Sequence, residues 1–313
     1  MSRKYYSKKL FYKYYKDWIV LYKEHAVRKV TLDKYYLTYK KVIELAPDLH
    51  LNELNRRSYQ KLLNDYALNH ERKTTMDFHH HLKAAILDAV DDGLLEHDPT
   101  RRVIIKGCPP KLKKKKYLDM YELQRLLKNL ELGNQINWDW FILLIAKTGL
   151  RFSEALALTP SDFNFEKQLI TINKSWNYKS KKGAFQKTKN SSSNRKVMVD
   201  WQLMDQFKEM ISKSKTDLHQ PIFIEENQRV FNSTINTILE KHCKDSNVPI
   251  ISVHGLRHTH ASLLLYEGVS IASVAKRLGH ANTTTTQETY LHIIKELENK
   301  DNNKVLHTLA QLS

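Results

Sequence analysis

Apolar side chains recur at three- and four-residue spacing along the first hundred residues, the period of a helix with one buried face. Phe11, Tyr15, Trp18, Ile19 and Tyr22 form a first stripe. Thr31 opens a second segment, which runs to Leu45. In it Leu32, Tyr35, Tyr36, Tyr39, Val42 and Ile43 line up before Pro47 forbids continuation. Residues 51–68 predict a third helix, with Leu54, Leu62, Leu63 and Tyr66 inward. Residues 74–99 predict a fourth, with Leu82, Ala85, Ile86 and Ala89 on its core face, Gly93 ending it and Pro99 closing the segment. The pattern is that of a small helical domain.

The chain then changes character. Pro109 and Pro110 stiffen residues 106–117, and five lysines crowd between positions 111 and 116, as in a linker. This divides the chain into a first domain of residues 1–105 and a second of residues 118–313. In the second, DMYELQRLLKNL and WDWFILLIAKTGL have helical spacing. Residues 168–176 and 194–200 alternate with β-branched residues and predict strands. The Lys-, Ser-, Asn- and Gly-rich stretch between them predicts a long, mobile hairpin, and helices follow from Asp200. The fold class is mainly α with a small β-sheet, an α+β domain behind a helical one. A last stripe, Val305, Leu306, Leu309 and Leu312, follows the polar residues 298–303. It predicts a tail helix too short to persist alone in water, docked on its own domain or on a neighbouring protomer.

Charge adds a direction. The net charge is +17, and residues 1–117 hold 26 Lys+Arg against 14 Asp+Glu. So basic a chain suits a polyanion, either nucleic acid or an anionic membrane surface. The longest apolar run, near Phe141 to Ala146, is too short to span a bilayer, and the N-terminus lacks a secretory apolar stretch. Cys108 and Cys243 make neither a disulfide framework nor a zinc pattern. The chain therefore reads as intracellular. There is no internal repeat and no Gly-rich phosphate loop. His79, His80 and His81 are consecutive, so on a helix they point apart and cannot share one ion. The tyrosines of residues 5–39 read as packing rather than as base-stacking platforms.

Three segments look unlike scaffold. Thr148 to Glu154, TGLRFSE, places Arg151 just after a turn. HGLRHTH places His254 and Arg257 three apart, on one face of a helix, whereas His258 and His260, two apart, suit a strand better. LGH ends on His280, ten residues before Tyr290. Two arginines can hold the two non-bridging oxygens of one phosphate. Histidines can donate hydrogen bonds or move protons near neutral pH. A tyrosine becomes a nucleophile once its proton is removed or its phenolate is stabilised by cations. Phosphodiester chemistry needs this set of parts, and no metal site is expected beside it.

TGLRFSEAL, HGLRHTHAS, LGH and TTQETYLH resemble, in order and spacing, the signature segments of the tyrosine recombinase (phage integrase) family. The likeness covers most of residues 118–295, and LKAAILDAVDDGLLEHDP is similar to the family's core-binding domain. The resemblance implies that Arg151, His254, Arg257 and His280 surround a scissile phosphate. It implies that Tyr290 attacks that phosphate and that Glu154 supports Arg151. It also implies a general-acid lysine on a β-hairpin. Lys187 fits best and Lys189 is the alternative, because Ser191, Ser192 and Ser193 lengthen the hairpin and leave its register open.

The implied activity is site-specific cutting and rejoining of DNA through a 3′-phosphotyrosyl link, without cofactor, for integration or excision of a mobile element. Implied partners are double-stranded DNA with inverted-repeat core sites, three further protomers in a synaptic tetramer, and an accessory directionality factor. The two domains would close on the duplex as a clamp, in the cytoplasm on a bacterial nucleoid. Arg28, Lys29, Arg56, Arg57, Arg72, Lys73 and the linker residues Lys113, Lys114, Lys115 and Lys116 are the candidate DNA contacts. The helical domain starts within the first ten residues or so, without the arm-binding domain of larger phage integrases. Either simple sites are recombined or the chain is a shortened form. A type IB topoisomerase and a DNA-binding regulator with a decayed site are the competing expectations.

Overall fold

Short polar side chains set where helices begin in this chain. The computed structural model describes residues 8–110, 116–180, 182–188, 190–214, 217–225 and 228–290. Lys113, Lys114, Lys115, Lys189 and the expected tail helix lie outside them. The chain divides into two compact units, Met1–Lys113 and Lys114–Ser313. Among the described residues no helix is long and apolar enough to cross a membrane.

The first unit holds α1 (Phe11–Tyr22), α2 (Lys29–Leu45), α3 (Arg56–Ala67) and α4 (Arg72–Asp91). Phe11, Tyr15, Trp18 and Ile19 are buried from α1, and Leu82, Ala85, Ile86 and Ala89 from α4. Of the stripe expected on α2 only Val42 is fully buried, and the other five are half-buried. The third expected helix is divided. Leu51–Glu53 is a separate 3-10 turn, and α3 starts after Asn55. The Asn55 side chain accepts from the Arg57 and Ser58 amides at 2.9 and 3.1 Å, a cap that overrides the continuous apolar spacing. Gly93, at φ +67°, terminates the fourth helix as expected. The three histidines of α4 do point apart. His79 is buried against the Tyr59 hydroxyl at 2.9 Å, His80 is exposed, and His81 meets Thr38 at 3.1 Å.

In the second unit, α5 (Met120–Lys128) starts in a capping box. The Asp119 carboxylate accepts from the Glu122 amide, and the Glu122 carboxylate accepts from the Asp119 amide. Helix α6 (Trp138–Thr148) is buried on nearly every side and forms the centre of the core. The short α7 (Phe152–Ala155) follows. Strands β1 (Phe163–Asn164), β2 (Leu169–Ile172) and β5 (Arg195–Met198) make an antiparallel sheet in the order β1-β2-β5, with Ile170 opposite Val197. Strands β3 (Lys174–Trp176) and β4 (Phe185–Lys187) make a second, two-stranded sheet. The single strand expected over residues 168–176 is thus two strands, because the chain changes partner at Asn173. Side-chain alternation reports which face is inward, not which strand lies alongside.

Helices α8 (Trp201–Lys213), α9 (Asn232–Asp245), α10 (Val253–Tyr266) and α11 (Ile271–Leu278) follow, and residues 283–290 are helical. His258 and His260 both lie in α10, against the strand expectation. Ser252 caps that helix, and Val253, Leu256, Ala261 and Leu265 give it a buried face. Two residues apart on a helix, the imidazoles diverge by about 200°.

His260 faces α6. Its Nδ1 meets the Ala146 carbonyl at 3.0 Å, and its Nε2 accepts from Arg277 Nε at 2.9 Å. Arg277 Nε can only donate, so Nε2 is unprotonated and Nδ1 carries the proton. Burial, and then Arg277, push the His260 pKa down to about 3. Beside it, α6 ends on Gly149 at φ +68°, where an added Cβ would stand 2.7 Å from His260 Cδ2.

Two outcomes are expected. Gly149→Ala combines a left-handed alanine with a clash and is expected to cost about 3 kcal/mol, read as a lower denaturant midpoint at unchanged slope. The second concerns acid. His79 is pushed down to about 4 by burial and His260 to about 3, both from 6.5. Each is neutral when folded, so its stabilising contribution is complete above pH 6.5 and drains as pH falls toward those values. The melting temperature should fall from pH 7 to pH 5 with net proton uptake on unfolding. A flat profile would contradict both assignments.

Candidate active site

Arg151 lies at the amino end of α7, where the chain leaves the Gly149 turn. Its backbone amide donates to Glu154 Oε2 at 3.0 Å and its Nη1 to Glu154 Oε1 at 2.6 Å. Glu154 is 3 % exposed. Burial alone would raise its pKa, but Arg195 and then Arg151 outweigh burial and hold it below the ordinary carboxylate range. The acidic partner expected for Arg151 is therefore in place, and it has a second cation. Arg195 Nη2 reaches Glu154 Oε2 at 2.9 Å, while Arg195 Nε donates to the Arg277 carbonyl at 2.6 Å and Nη1 to the Ser193 carbonyl at 2.9 Å.

Arg257 reaches the same place from α10. It is 3 % exposed, and donates from Nη1 to the Gly149 carbonyl and from Nη2 to the Leu278 carbonyl, each at 2.7 Å. Arg151 Nη2 donates to the next carbonyl, Gly279, at 2.8 Å. The two arginines thus grip consecutive carbonyls of one turn. Gly279 holds that turn at φ +69°, and a Cβ there would meet Arg195 Nη1 at 2.8 Å. Burial, then Arg151, push the Arg257 pKa down to about 9, so it remains a cation at neutral pH.

His280 follows the turn directly. Its amide donates to the Ala275 carbonyl at 3.0 Å and its Nδ1 lies 2.7 Å from Thr286 Oγ1. Burial, then Arg257 and Arg151, push its pKa down to about 4. His254 sits at the surface of α10. Desolvation, then Arg257 and Arg151, lower its pKa too. Its ring packs edge-on against His258, centroids 4.7 Å apart.

Tyr290 is 2 % exposed and packs with Ala261, Leu265, Val274 and Leu278. Its hydroxyl lies 3.0 Å from His258 Nδ1. Burial pushes its pKa up to about 12, and Arg257 acts against that rise. Lys187 ends β4 opposite Lys174 and is exposed. None of the hydrogen bonds above reaches it. Its neighbour Thr188 is buried and donates to Asn194 Oδ1 at 2.8 Å, which fixes the strand end behind the lysine. Lys174, across the ladder, is held by Asp162 at 2.5 Å.

Arg151, Glu154, Arg257 and His280 therefore converge around one turn. Tyr290 and His254 join them through His258. Sequence reasoning missed Arg195, His258 and the Arg277–His260 pair. Arg195 had a signal: in β5 it shares a face with buried Val197, and an inward arginine needs a partner. Among the described residues no group of three or more His, Cys, Asp or Glu could hold a metal ion. Among the described residues, the guanidiniums of Arg151, Arg195 and Arg257 all act on Glu154, and this local excess of positive charge suits an anionic phosphodiester.

The family model described as the phage integrase family matches residues 116–296. A XerC-like tyrosine recombinase of Caldanaerobacter subterraneus subsp. tengcongensis is 28% identical over 265 residues, spanning 76% of this chain and 66% of that protein. The integrase of Staphylococcus phage L54a is 24% identical over 315 residues, 90% of this chain and 88% of that one. The ICEBs1 integrase of Bacillus subtilis is 25% identical over 215 residues, of which this chain spans 57% of the relative's length. Among solved structures, the Tn1549 transposon integrase in complex with a circular intermediate DNA superposes with a TM-score of 0.74 at 18% identity, over 90% of this chain and 95% of that one. A lambda integrase dimer bound to a COC′ core site gives 0.65 at 16% identity, over 89% and 94%. The model spans more than half the chain and includes every residue of the arginine, histidine and tyrosine cluster, so this chain belongs to the phage integrase family of tyrosine recombinases, enzymes that cleave and rejoin DNA strands.

Proposed function

We propose that this chain performs site-specific recombination for a mobile element, with Tyr290 as the nucleophile. Arg151 and Arg257 bind the non-bridging oxygens of the scissile phosphate and neutralise the charge that builds on them. Glu154 orients Arg151, and His254 and His280 supply further hydrogen-bond donors. The phenolic oxygen of Tyr290 forms a bond to phosphorus as the bond to the 5′ oxygen breaks. Lys187 gives that oxygen a proton. The 5′ hydroxyl of a partner strand then reverses the step, so the phosphodiester energy is conserved.

One observation carries this reading. Two arginines from distant parts of the chain are fixed on adjacent carbonyls of one turn, with the buried tyrosine in Arg257's field. That shared anchorage supports reading the two guanidiniums as a preorganised pair for one phosphate.

The substrate proposed is double-stranded DNA with inverted-repeat core sites, held by four protomers, with an accessory factor setting direction. The first unit supplies contacts. The basic pairs Arg28–Lys29, Arg56–Arg57 and Arg72–Lys73 are exposed at the starts of three helices, the last of them directly after the capping residue Glu71. Exposed cations and the free amides of a helix start together suit a DNA phosphate. Lys113, Lys114, Lys115 and Lys116 are proposed as further phosphate contacts.

Tyr290→Phe is expected to bind its site with unchanged affinity and to form no covalent adduct. A nicked suicide substrate on a denaturing gel reads both arms, and an adduct in this variant would remove Tyr290 from its role. Lys187→Ala is expected to slow cleavage by about 10² to 10³-fold. A substrate with sulfur at the 5′-bridging position leaves without a proton and should restore the rate. Rescue of Lys189→Ala in its place would move the acid two residues along.

A further inference from the structure

The phenol of Tyr290 cannot act while it keeps its proton, and the residues assigned above leave that proton without a destination. At 2 % exposure, sealed by Ala261, Leu265, Val274 and Leu278, the hydroxyl is shielded from bulk water. The group that meets it is His258 Nδ1, at 3.0 Å, with the rings 5.8 Å apart and inclined at 60°. His258 follows Arg257 directly and lies one turn after His254 on α10, so phosphate ligand and hydroxyl partner are carried by a single helix.

We propose that His258 is a further catalytic residue, the base that accepts the phenolic proton of Tyr290 during cleavage and returns it during rejoining. The inference rests on Tyr290 being the nucleophile. With its ring proton on Nε2, His258 presents a lone pair on Nδ1 to the phenol. In cleavage the Tyr290 O–H bond breaks and its proton passes to Nδ1. The oxygen–phosphorus bond forms and the bond to the 5′ oxygen breaks. That oxygen takes a proton from Lys187. His258 ends as imidazolium and Lys187 as a neutral amine. In rejoining, the incoming 5′ hydroxyl gives its proton to Lys187, the phosphotyrosyl bond breaks, and His258 reprotonates the leaving phenolate.

The surroundings make this base depend on substrate. The titratable and charged groups facing His258 are His254 and Arg257 from its own helix, Lys116 from the segment before α5, His280 after α11, and Tyr290. Among the described residues, no carboxylate is one of the groups that shift it. In the empty site burial, then His254, Arg257 and Lys116, push its pKa down to about 4. The imidazole is therefore neutral, free to accept, and unable to hold a proton for long. A bound phosphodiester brings a negative charge beside Arg257, offsets the cationic share of that opposition and so raises the proton affinity of the imidazole in the loaded site. Proton transfer is thereby confined to the loaded site.

The test is single-turnover adduct formation by the full chain, on a suicide substrate with sulfur at the 5′-bridging position so that Lys187 is not limiting, from pH 5.5 to 9.5. His258→Asn keeps a hydrogen-bond acceptor near the Nδ1 position but cannot carry the proton. It should bind DNA as the parent does and cleave about 10² to 10³-fold more slowly. Its rate should climb in proportion to hydroxide where the parent's levels off. His258→Ala should be slowed similarly, and added imidazole should recover part of its rate. An Asn variant with the parent's rate and pH profile would reduce His258 to a positioning contact and overturn the proposal. So would an Ala variant that imidazole leaves unchanged while Asn restores it. Peptide mapping of the parent adduct to a residue other than Tyr290 would sink the underlying reading instead.

Discussion

Glu154 is a buried carboxylate between two guanidiniums, and the geometry of the whole site depends on it. Desolvating a charge costs several kcal/mol, and only good geometry with every lone pair satisfied offsets that. Glu154 meets the condition with Arg151, Arg195 and a backbone amide. One carboxylate thereby fixes two arginines, the half-buried Arg151 and the buried Arg195. Arg195 carries the constraint onward, to Ser193 beside the hairpin and to Arg277 at the end of α11. The sheet, the hairpin connection and the turn before His280 are tied to one anion.

The balance around that anion is deliberately incomplete in electrostatic terms. Arg151, Arg195, Arg257 and Arg277 crowd a region where, among the described residues, Glu154 is the acidic partner, and the effect is visible in their neighbours. Burial and these cations lower His254, His258, His260 and His280 alike. A neutral imidazole costs less in this field than an imidazolium. The folded protein therefore carries unfavourable like-charge energy, which an anion bound here would relieve.

Much of this was legible in the sequence. Long helices with strong apolar spacing, such as α4 and α6, appear where the pattern places them, since burial of one face is what periodicity records. Boundaries were less legible where a polar side chain competes with apolar spacing, as Asn55 does between the 3-10 turn and α3. The division of residues 168–176 into β2 and β3 was not legible, because alternation is blind to strand partners. Around the site, Arg151, Glu154, Arg257, His280 and Tyr290 stand in recognisable segments and the structure gathers them. Arg195 lies in NRKVMV, a stretch so rich in cations that one inward arginine does not stand out. His258 was obscured by its spacing to His260, which suggests a strand until the Ser252 cap and the buried face of α10 are taken into account.

The turn formed by Leu278 and Gly279 has a consequence of another kind. Arg257 is held by carbonyl oxygens of the main chain, and Arg151 by one such oxygen in addition to Glu154. No amino-acid replacement can delete a peptide oxygen. Within the turn Leu278 is tied to the packing around Tyr290, whereas Gly279 is tied to the bend itself, because its left-handed backbone leaves no room for a Cβ. The docking geometry of the two arginines is thus inherited through backbone shape.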